Sequence, residues 1–320
     1  KIFELIEKDK IKIIPQARKN EVLSFIQSGL QDFCISRSNE RAKGWGIDVP
    51  EDPTQKMWVW FDALSNYISA LGYARDGEDF NSFWTDGDVA HIIGKDIVRF
   101  HAVYWPAMLI SANLKLPDKI ITHGFITVDN QKMSKSIGNV INPFELTSRY
   151  GTDELRYFLL SEFKTTGDGD FSYQKFENKY NSDLSSGLGN LVSRVLTLIE
   201  KKNLKKEKLI IDEDFKKEIN NYILKCDEHL NAFEFNEAIN TIWSLQRSLD
   251  KYIEETKPWE ISSKEELIEI FSKLIYGIKK IALMLDPFLP ETSKKILLFL
   301  GDDENEINVI HKEILFPRLK

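Results

Sequence analysis

Cysteine is almost missing from this chain: 320 residues carry two, Cys34 and Cys226. They are far apart and fit no metal-ligand spacing, which excludes a disulfide framework and a cysteine-held metal and predicts two buried thiols in a reducing compartment. Long apolar runs are missing as well. None approaches the roughly 20 residues of a membrane span, and no secretory signal opens the chain. The expectation is a soluble, cytoplasmic protein with no membrane partner. Nor is there an excess of positive charge. The net charge is −7, divided as −3 over residues 1–175 and −4 over residues 176–320. Bulk electrostatic binding of nucleic acid is thereby excluded, and any RNA contact has to be local and shape-selective. An initiator methionine is lacking too: the chain starts at Lys1 as though cut from the middle of something, and reads as a fragment or one subunit.

What is present suffices for two or three domains with real cores, since 42% of the residues are hydrophobic and 12% aromatic. Residues 2–14 and 20–29 read as helices. Residues 56–62, 89–93 and 119–122 read as strands, separated by helical spacing over 63–71 and 97–110. Strands alternating with helices imply a parallel sheet with right-handed crossovers, whose ligands sit beyond the carboxyl ends of the strands. Asp62, Ala63, Gly94, Asp96, His123 and Gly124 all fall there. Residues 125–131 look like a hairpin turning on Asp129-Asn130. Asn142 and Thr152 offer helix caps, and residues 165–170 form a polar, glycine-bearing break. Five long amphipathic helices follow over 173–201, 213–232, 235–255, 264–285 and 290–300. The fold class is therefore α/β and then all-α, divided as 1–125, 126–171 and 172–320.

The chemistry centres on Lys132-Met133-Ser134-Lys135-Ser136. Two ammonium groups on a loop that can move are able to close over a polyphosphate and meet the charge that grows on its oxygens as the α-phosphorus is attacked. Asp96, two residues after Gly94, reads either as an acceptor for a ribose diol or as a helix cap ahead of Ile97. Asn190 and Arg194 lie four apart on one helix face. An amide and a guanidinium at that spacing suit unpaired bases, and Trp259 after Pro258 suits a stacking platform. An interhelix polar pair and a tryptophan capping the bundle are the alternatives.

The lysine loop, with His91-Ile92-Ile93-Gly94-Lys95-Asp96 and Trp58-Val59-Trp60-Phe61-Asp62-Ala63 before it and Lys257-Pro258-Trp259 after it, resembles the class I methionyl-tRNA synthetases over nearly the whole chain. That resemblance implies the C-terminal half of a Rossmann-like parallel sheet followed by a helical anticodon-binding bundle. It implies that Gly94 and Asp96 face the ribose of ATP, that His123 and Gly124 lie against the adenine, and that residues 132–136 bind its phosphates. Lys135 is then the first catalytic contact and Lys132 the second, with magnesium accompanying ATP. Trp60, Ala63, Tyr67, Phe100, His101 and Trp105 become candidates for the methionine pocket, because aromatic walls suit a polarizable thioether. Asn190, Arg194 and Trp259 become anticodon readers. Two departures stand out: the family's first nucleotide-binding half and its zinc-knuckle cysteines are absent. His91-Ile92-Ile93-Gly94 matches the signature of that first half by letters only. The acidic group that holds the methionine amine is expected in the missing half.

The expected activity is ATP-dependent ligation of methionine to tRNA through methionyl-adenylate, by a monomer or by this chain joined to a separate N-terminal half. A non-catalytic tRNA-binding subunit is the second reading. A class I synthetase for another apolar amino acid is the third.

Overall fold

Opposing periodicities meet at the very start of the chain. In the structure, a computed structural model that describes residues 1–75, 77–134, 136, 138–301, 306–309 and 313–319, helix α1 (Ile2–Glu7) stops after six residues. Asp9 takes a left-handed φ of 53°, and Lys12–Ile14 forms strand β1. The helix expected over 2–14 thus ends at Glu7 and gives way to a strand over its last three residues. Ile11 and Ile13 are both buried, and their alternation with Lys10 and Lys12 is the two-residue period of a strand. Helix α2 (Gln16–Gln27) follows.

The chain divides into two compact units, Lys1–Phe125 and Ile126–Lys320. In the first, β2 (Ser36–Ser38), α3 (Asn39–Ala42), β3 (Asp48–Val49) and β4 (Asp52–Met57) build a small antiparallel sheet of order β2–β4–β3. Residues 56–62 therefore do not supply a strand of the parallel sheet. The chain leaves β4 at Met57 and enters α4 (Val59–Ser69). A short apolar run suits a strand or a buried helix equally well; here Leu64 and Ile68 turn to one side and are buried, so the helix prevails. Asp62 and Ala63 consequently sit in a helix rather than beyond a strand.

The parallel sheet has the order β1–β6–β5, with β5 (Ala90–Gly94) and β6 (Lys119–His123) joined by α5 (Trp105–Ser111) and the helical turns leading into it. The strand that replaces 56–62 is β1, whose Ile13 registers with Ile120. One small core gathers Ile6, Ile13, Ile93, Val98 and Ile120, and another gathers Leu64, Trp84, Trp105 and Leu109. Among the described residues no strand pairs with the outer edge of β5, where Ile92 is 57% exposed.

The second unit opens with the hairpin β7 (Ile126–Val128) and β8 (Gln131–Lys132). Its turn residues Asp129 and Asn130 have φ of 50° and 61°, the left-handed pair that a two-residue hairpin turn requires. Asn142 caps α6 (Pro143–Tyr150), its side chain accepting the Phe144 N–H at 3.0 Å. Thr152 does not cap α7 (Thr152–Glu162). Gly151, at φ 110°, takes the cap position because the chain must turn sharply between the two helices. The expected break over 165–170 ends in a strand, β9 (Gly169–Phe171), which pairs in parallel with β7. Beyond it α8 (Tyr173–Lys179), a widened π-type stretch Tyr180–Gly189 and α9 (Asn190–Lys201) run as one helix. The remaining helices are α10 (Glu213–Asn231), α11 (Phe235–Thr256), α12 (Lys264–Leu285) and α13 (Pro290–Leu300), and a single continuous core runs through them. Of the two thiols only Cys226 is buried; Cys34 is exposed, contrary to expectation, because it lies in the extended segment before β2.

Candidate functional site

Helix α4 and the helical run after β5 each present one aromatic face, and the two faces meet. Trp60 stacks on Phe100 with ring centroids 4.1 Å apart and planes 11° from parallel. Two turns along α4, the Tyr67 hydroxyl lies 2.8 Å from His101 Nε2. On its other side His101 Nδ1 faces the Ile97 carbonyl at 3.0 Å. A carbonyl only accepts, so Nδ1 carries the proton and Nε2 accepts from Tyr67. Trp105 closes the floor, its indole N–H donating to His91 Nε2 at 3.2 Å. Ala63 is exposed, between Trp60 and Tyr67 along the helix.

His91, set aside in the sequence as a chance match, is therefore part of this cage. Its ring lies 4.4 Å from that of Tyr67 and 5.6 Å from that of His101, and Trp84 packs behind it. The signal was there in the strand: alternation along β5 turns His91 and Ile93 inward together. Burial, and then the neighbouring His101, push the His91 imidazole down to about 4. Burial also lowers His101, against the opposing pull of the Ile97 carbonyl. Both rings are neutral near pH 7. The cage is a polarizable, uncharged cluster of rings that includes one hydroxyl and two imidazoles.

Beside it, the ends of β5 and β6 bring Gly94 into register with His123. A side-chain carbon on Gly94 would meet Asp96 Oδ1 at 2.9 Å, so the carboxylate folds back over the glycine. Asp96 makes no helix cap. The turn Lys95–Ile97 has Gly94 at its cap position and no side-chain capping bond, which removes the alternative reading. His123 Nδ1 donates to the Gly124 carbonyl at 2.8 Å, leaving its Nε2 as an acceptor. His123 is exposed and Gly124 buried.

The lysine loop belongs to the second unit. Lys132 ends β8, and Lys135 lies outside the described residues. Ser134 and Ser136 join hydroxyl to hydroxyl at 2.7 Å. Asn139, which the motif alone does not single out, ties both ends: its Oδ1 accepts the Ser134 N–H at 2.8 Å and its Nδ2 donates to the Lys132 carbonyl at 3.3 Å. Met133 is half-buried. Asp170 fixes the hairpin from below, accepting from Thr127 Oγ1 at 2.7 Å and the Asn130 N–H at 2.6 Å. Those two donors hold its carboxyl below the usual range.

On the bundle, Arg194 lies over the Trp259 ring at 5.0 Å and pairs with Glu254 at 2.6 Å. The Trp259 ring is 41% exposed, and its segment is held by Lys202, which donates to the Ile261 carbonyl at 2.8 Å. Asn190 is exposed one helical turn before Arg194. Asp250 lies one turn from Glu254 and accepts from Gln246 Nε2. Burial raises its carboxyl to about 6, against the pull of Arg194. Among the described residues no group of three or more His, Cys, Asp or Glu side chains is placed to hold a metal, and no helix is long and apolar enough to cross a membrane.

Comparison with known proteins adds the following. Residues 1–196 match the family of class I tRNA synthetases of the M type, and residues 212–320 match the anticodon-binding domain of tRNA ligases. A methionine–tRNA ligase of Fusobacterium nucleatum is 41% identical over 311 residues, which cover 94% of this chain and 48% of that protein. One from Rickettsia conorii is 36% identical across the whole chain and 67% of its own length. The Mycobacterium tuberculosis methionyl-tRNA synthetase in complex with methionyl-adenylate superposes on 99% of this chain and 68% of its own, with a TM-score of 0.88 at 32% identity. The chain spans about half the length of the curated bacterial relatives it matches.

Proposed function

Because the chain belongs to the class I methionyl-tRNA synthetase family, we propose that it works as part of a methionine–tRNA ligase of the cytoplasm, joining methionine to tRNA through methionyl-adenylate. The observation that carries the reading is the neutral His101–Tyr67 pair, 2.8 Å apart inside an aromatic cage. A thioether gains from contact with polarizable aromatic rings. Leucine and isoleucine offer about the same volume, and valine less, without the sulfur that makes those contacts.

In the first step the methionine carboxylate attacks the α-phosphorus of ATP and pyrophosphate leaves. No covalent bond to the protein is needed, so catalysis is positioning and charge stabilisation. Asp96 accepts from the ribose hydroxyls, while His123 and Gly124 border the base. Lys135, with Lys132, meets the charge growing on the phosphate oxygens. Loss of one such contact costs about 3–4 kcal/mol of transition-state energy. Magnesium travels with the ATP phosphates as part of the substrate, keeping much of its own water. In the second step the terminal ribose hydroxyl of the tRNA takes the methionyl group and releases AMP, with Asn190, Arg194 and Trp259 reading the anticodon.

The open outer edge of β5 favours a second reading, a tRNA-binding chain that becomes catalytic only when a separate N-terminal half completes the sheet. Methionine-dependent exchange between ATP and pyrophosphate tests both. Exchange by the chain alone supports an active ligase, and exchange only after the first half of a relative is supplied supports the split form. Exchange with leucine, isoleucine or valine at rates equal to methionine would sink the methionine assignment.

A further inference from the structure

Both helices that bear the anticodon candidates are tied to one buried hydroxyl. Tyr157 lies on α7 and is 1% exposed. Its hydroxyl donates to Asp183 Oδ2 at 2.6 Å and accepts from the Trp243 indole N–H at 2.5 Å. Asp183 stands in the π-type stretch, seven residues before Asn190, and Trp243 stands on α11, eleven residues before Glu254. From these two helical runs come Asn190 and Arg194, the Glu254 carboxylate that holds Arg194 and, just past the end of α11, Trp259. Two other side chains of α7 hold the bundle by its backbone instead. Arg156 donates to the Pro287 and Phe288 carbonyls, both at 2.7 Å, and Asp153 accepts the Thr292 N–H at 2.7 Å. Those bonds reach the turn between α12 and α13, which carries none of the three anticodon candidates.

The node is built to stay put. Burial, and then the charge of Asp183, push the Tyr157 phenol far above its ordinary range, so the hydroxyl keeps its proton and remains a donor. Asp183 is fixed from its other side by Ser182 Oγ at 2.6 Å and Lys179 Nζ at 3.5 Å. In so dry a place each of these bonds is strong, and a partner left without one is costly. Small movements at the node are also magnified. Glu254 lies about 16 Å along α11 from Trp243 at 1.5 Å per residue, so a tilt of roughly 4° at Trp243 carries it through about 1 Å. Recognition geometry has to be held within about 0.5 Å. The stretch that carries Asp183 is ten residues of widened turns, a distortion found mostly at functional sites.

We propose that Tyr157 is a positioning residue for anticodon recognition, its hydroxyl fixing the tilt of α9 and α11 against each other so that Asn190, Arg194 and Trp259 meet the bases together. The proposal rests on the anticodon reading of those three residues and goes beyond it by naming the buried group that aligns them. The ring of Tyr157 belongs to the core, and only its hydroxyl does the aligning.

The test is a binding titration of the full chain with two anticodon stem-loop RNAs, one carrying the methionine anticodon CAU and one carrying GGC in its place. The ratio of the two dissociation constants is the readout, because a loss of folded protein lowers both apparent affinities and leaves their ratio alone. Tyr157→Phe keeps the ring and removes both hydrogen bonds. It should cut the preference for CAU about fivefold, the size of one misaligned hydrogen bond to a base edge. Asp183→Asn keeps an acceptor for the hydroxyl and should retain most of the preference. Tyr150→Phe removes a different buried hydroxyl, which donates to Glu177 on α8, and should leave the preference intact. A ratio unchanged in Tyr157→Phe, or lowered equally by Tyr150→Phe, overturns the proposal. Should Tyr157→Phe lose cooperative melting, Trp243→Phe is read in its place, since it leaves the Tyr157–Asp183 bond standing. Its expected loss is about twofold, and an unchanged ratio overturns the proposal in the same way. No preference in the unaltered chain would sink the anticodon reading and this proposal with it, whereas a preference kept in full by Tyr157→Phe overturns the role of the hydroxyl alone.

Discussion

The two units put their candidate functional side chains in opposite places. In the first, the aromatic cage overlaps the second small core: Trp105 belongs to both and is 1% exposed, and His101 beside it is 1% exposed as well. In the second, one core runs from Tyr157 to Phe316 without any of the candidate site residues in it, while Trp259 is exposed and Arg194 lies over its ring. A pocket for a small apolar ligand has to be cut from the core, whereas a reader of unpaired bases has to stand clear of it. Stability and chemistry are therefore coupled in the first unit and separable in the second.

The largest expected effect breaks the second unit without touching its chemistry. Phe271 is fully buried in the middle of α12, and Phe271→Ala should destabilise the bundle by about 3–5 kcal/mol. Urea midpoints would measure the loss, and the protein that stays folded should bind tRNA as before. A matching loss of tRNA affinity in the folded fraction would show that core and reading face are coupled after all.

A change of pH should move the two units in opposite directions. His91 is held near 4 in the folded state against an ordinary value of 6.5. The unfolded chain binds that proton first, so the first unit is at full stability above pH 6.5 and loses up to roughly 3 kcal/mol as the pH falls towards 4. The buried His101 acts in the same direction. Asp250 is held near 6 against an ordinary 3.8. Here the folded state binds the proton first, so the contribution of Asp250 is complete below pH 3.8 and is lost as the pH rises through 6. With solvent screening of this half-buried group, the contribution is about 1–2 kcal/mol. Hydrogen exchange at pH 7 and pH 5 resolves the two regions. Amides around β5 and α5 should lose protection on acidification and those of α9 and α11 should gain it, after correction for the intrinsic exchange rate. Parallel changes in both would refute the assignment of these two groups.

The helices of the bundle were legible almost to the residue, because a long period of 3.6 is hard to mistake and Pro287 and Pro290 punctuate its last turn. Strands were less so. β1 was hidden inside an apparent helix, β9 inside a polar break, and 56–62 was given to the sheet although its aromatic residues begin α4. In each case three to seven residues carried too little period to decide; for β1 and β9, pairing partners more than 40 positions away decided instead. The cage shows the same limit. Tyr67 and His101 could be named from helical spacing, but their hydrogen bond, and the part His91 plays through Trp105, depend on three elements meeting in space. Asn139 escaped notice because its role is to brace the backbone of the loop rather than to contribute charge.

The smallest effect sharpens the comparison most, because it asks whether the reading face is free of the core. Trp259 has 41% of its surface exposed, and beneath it Arg194 is held by Glu254. Replacing the indole with alanine removes a platform on which a base can stack, worth about 1–3 kcal/mol of tRNA affinity. It removes little packing: the buried residue at this corner is Pro258, and an exposed ring contributes far less than the roughly 3–5 kcal/mol of a core aromatic. Trp259→Ala should therefore weaken tRNA binding while shifting the melting temperature by no more than a few degrees. Asn190→Ala should do the same more mildly, since it loses one hydrogen bond to a base edge, about 0.5–1.5 kcal/mol. Both affinities should respond only weakly to salt, because Glu254 already neutralises Arg194 and little charge is left to release counterions. A large melting shift with unchanged affinity in Trp259→Ala would make the tryptophan a cap of the bundle. The second unit would then resemble the first in building its functional face out of its core.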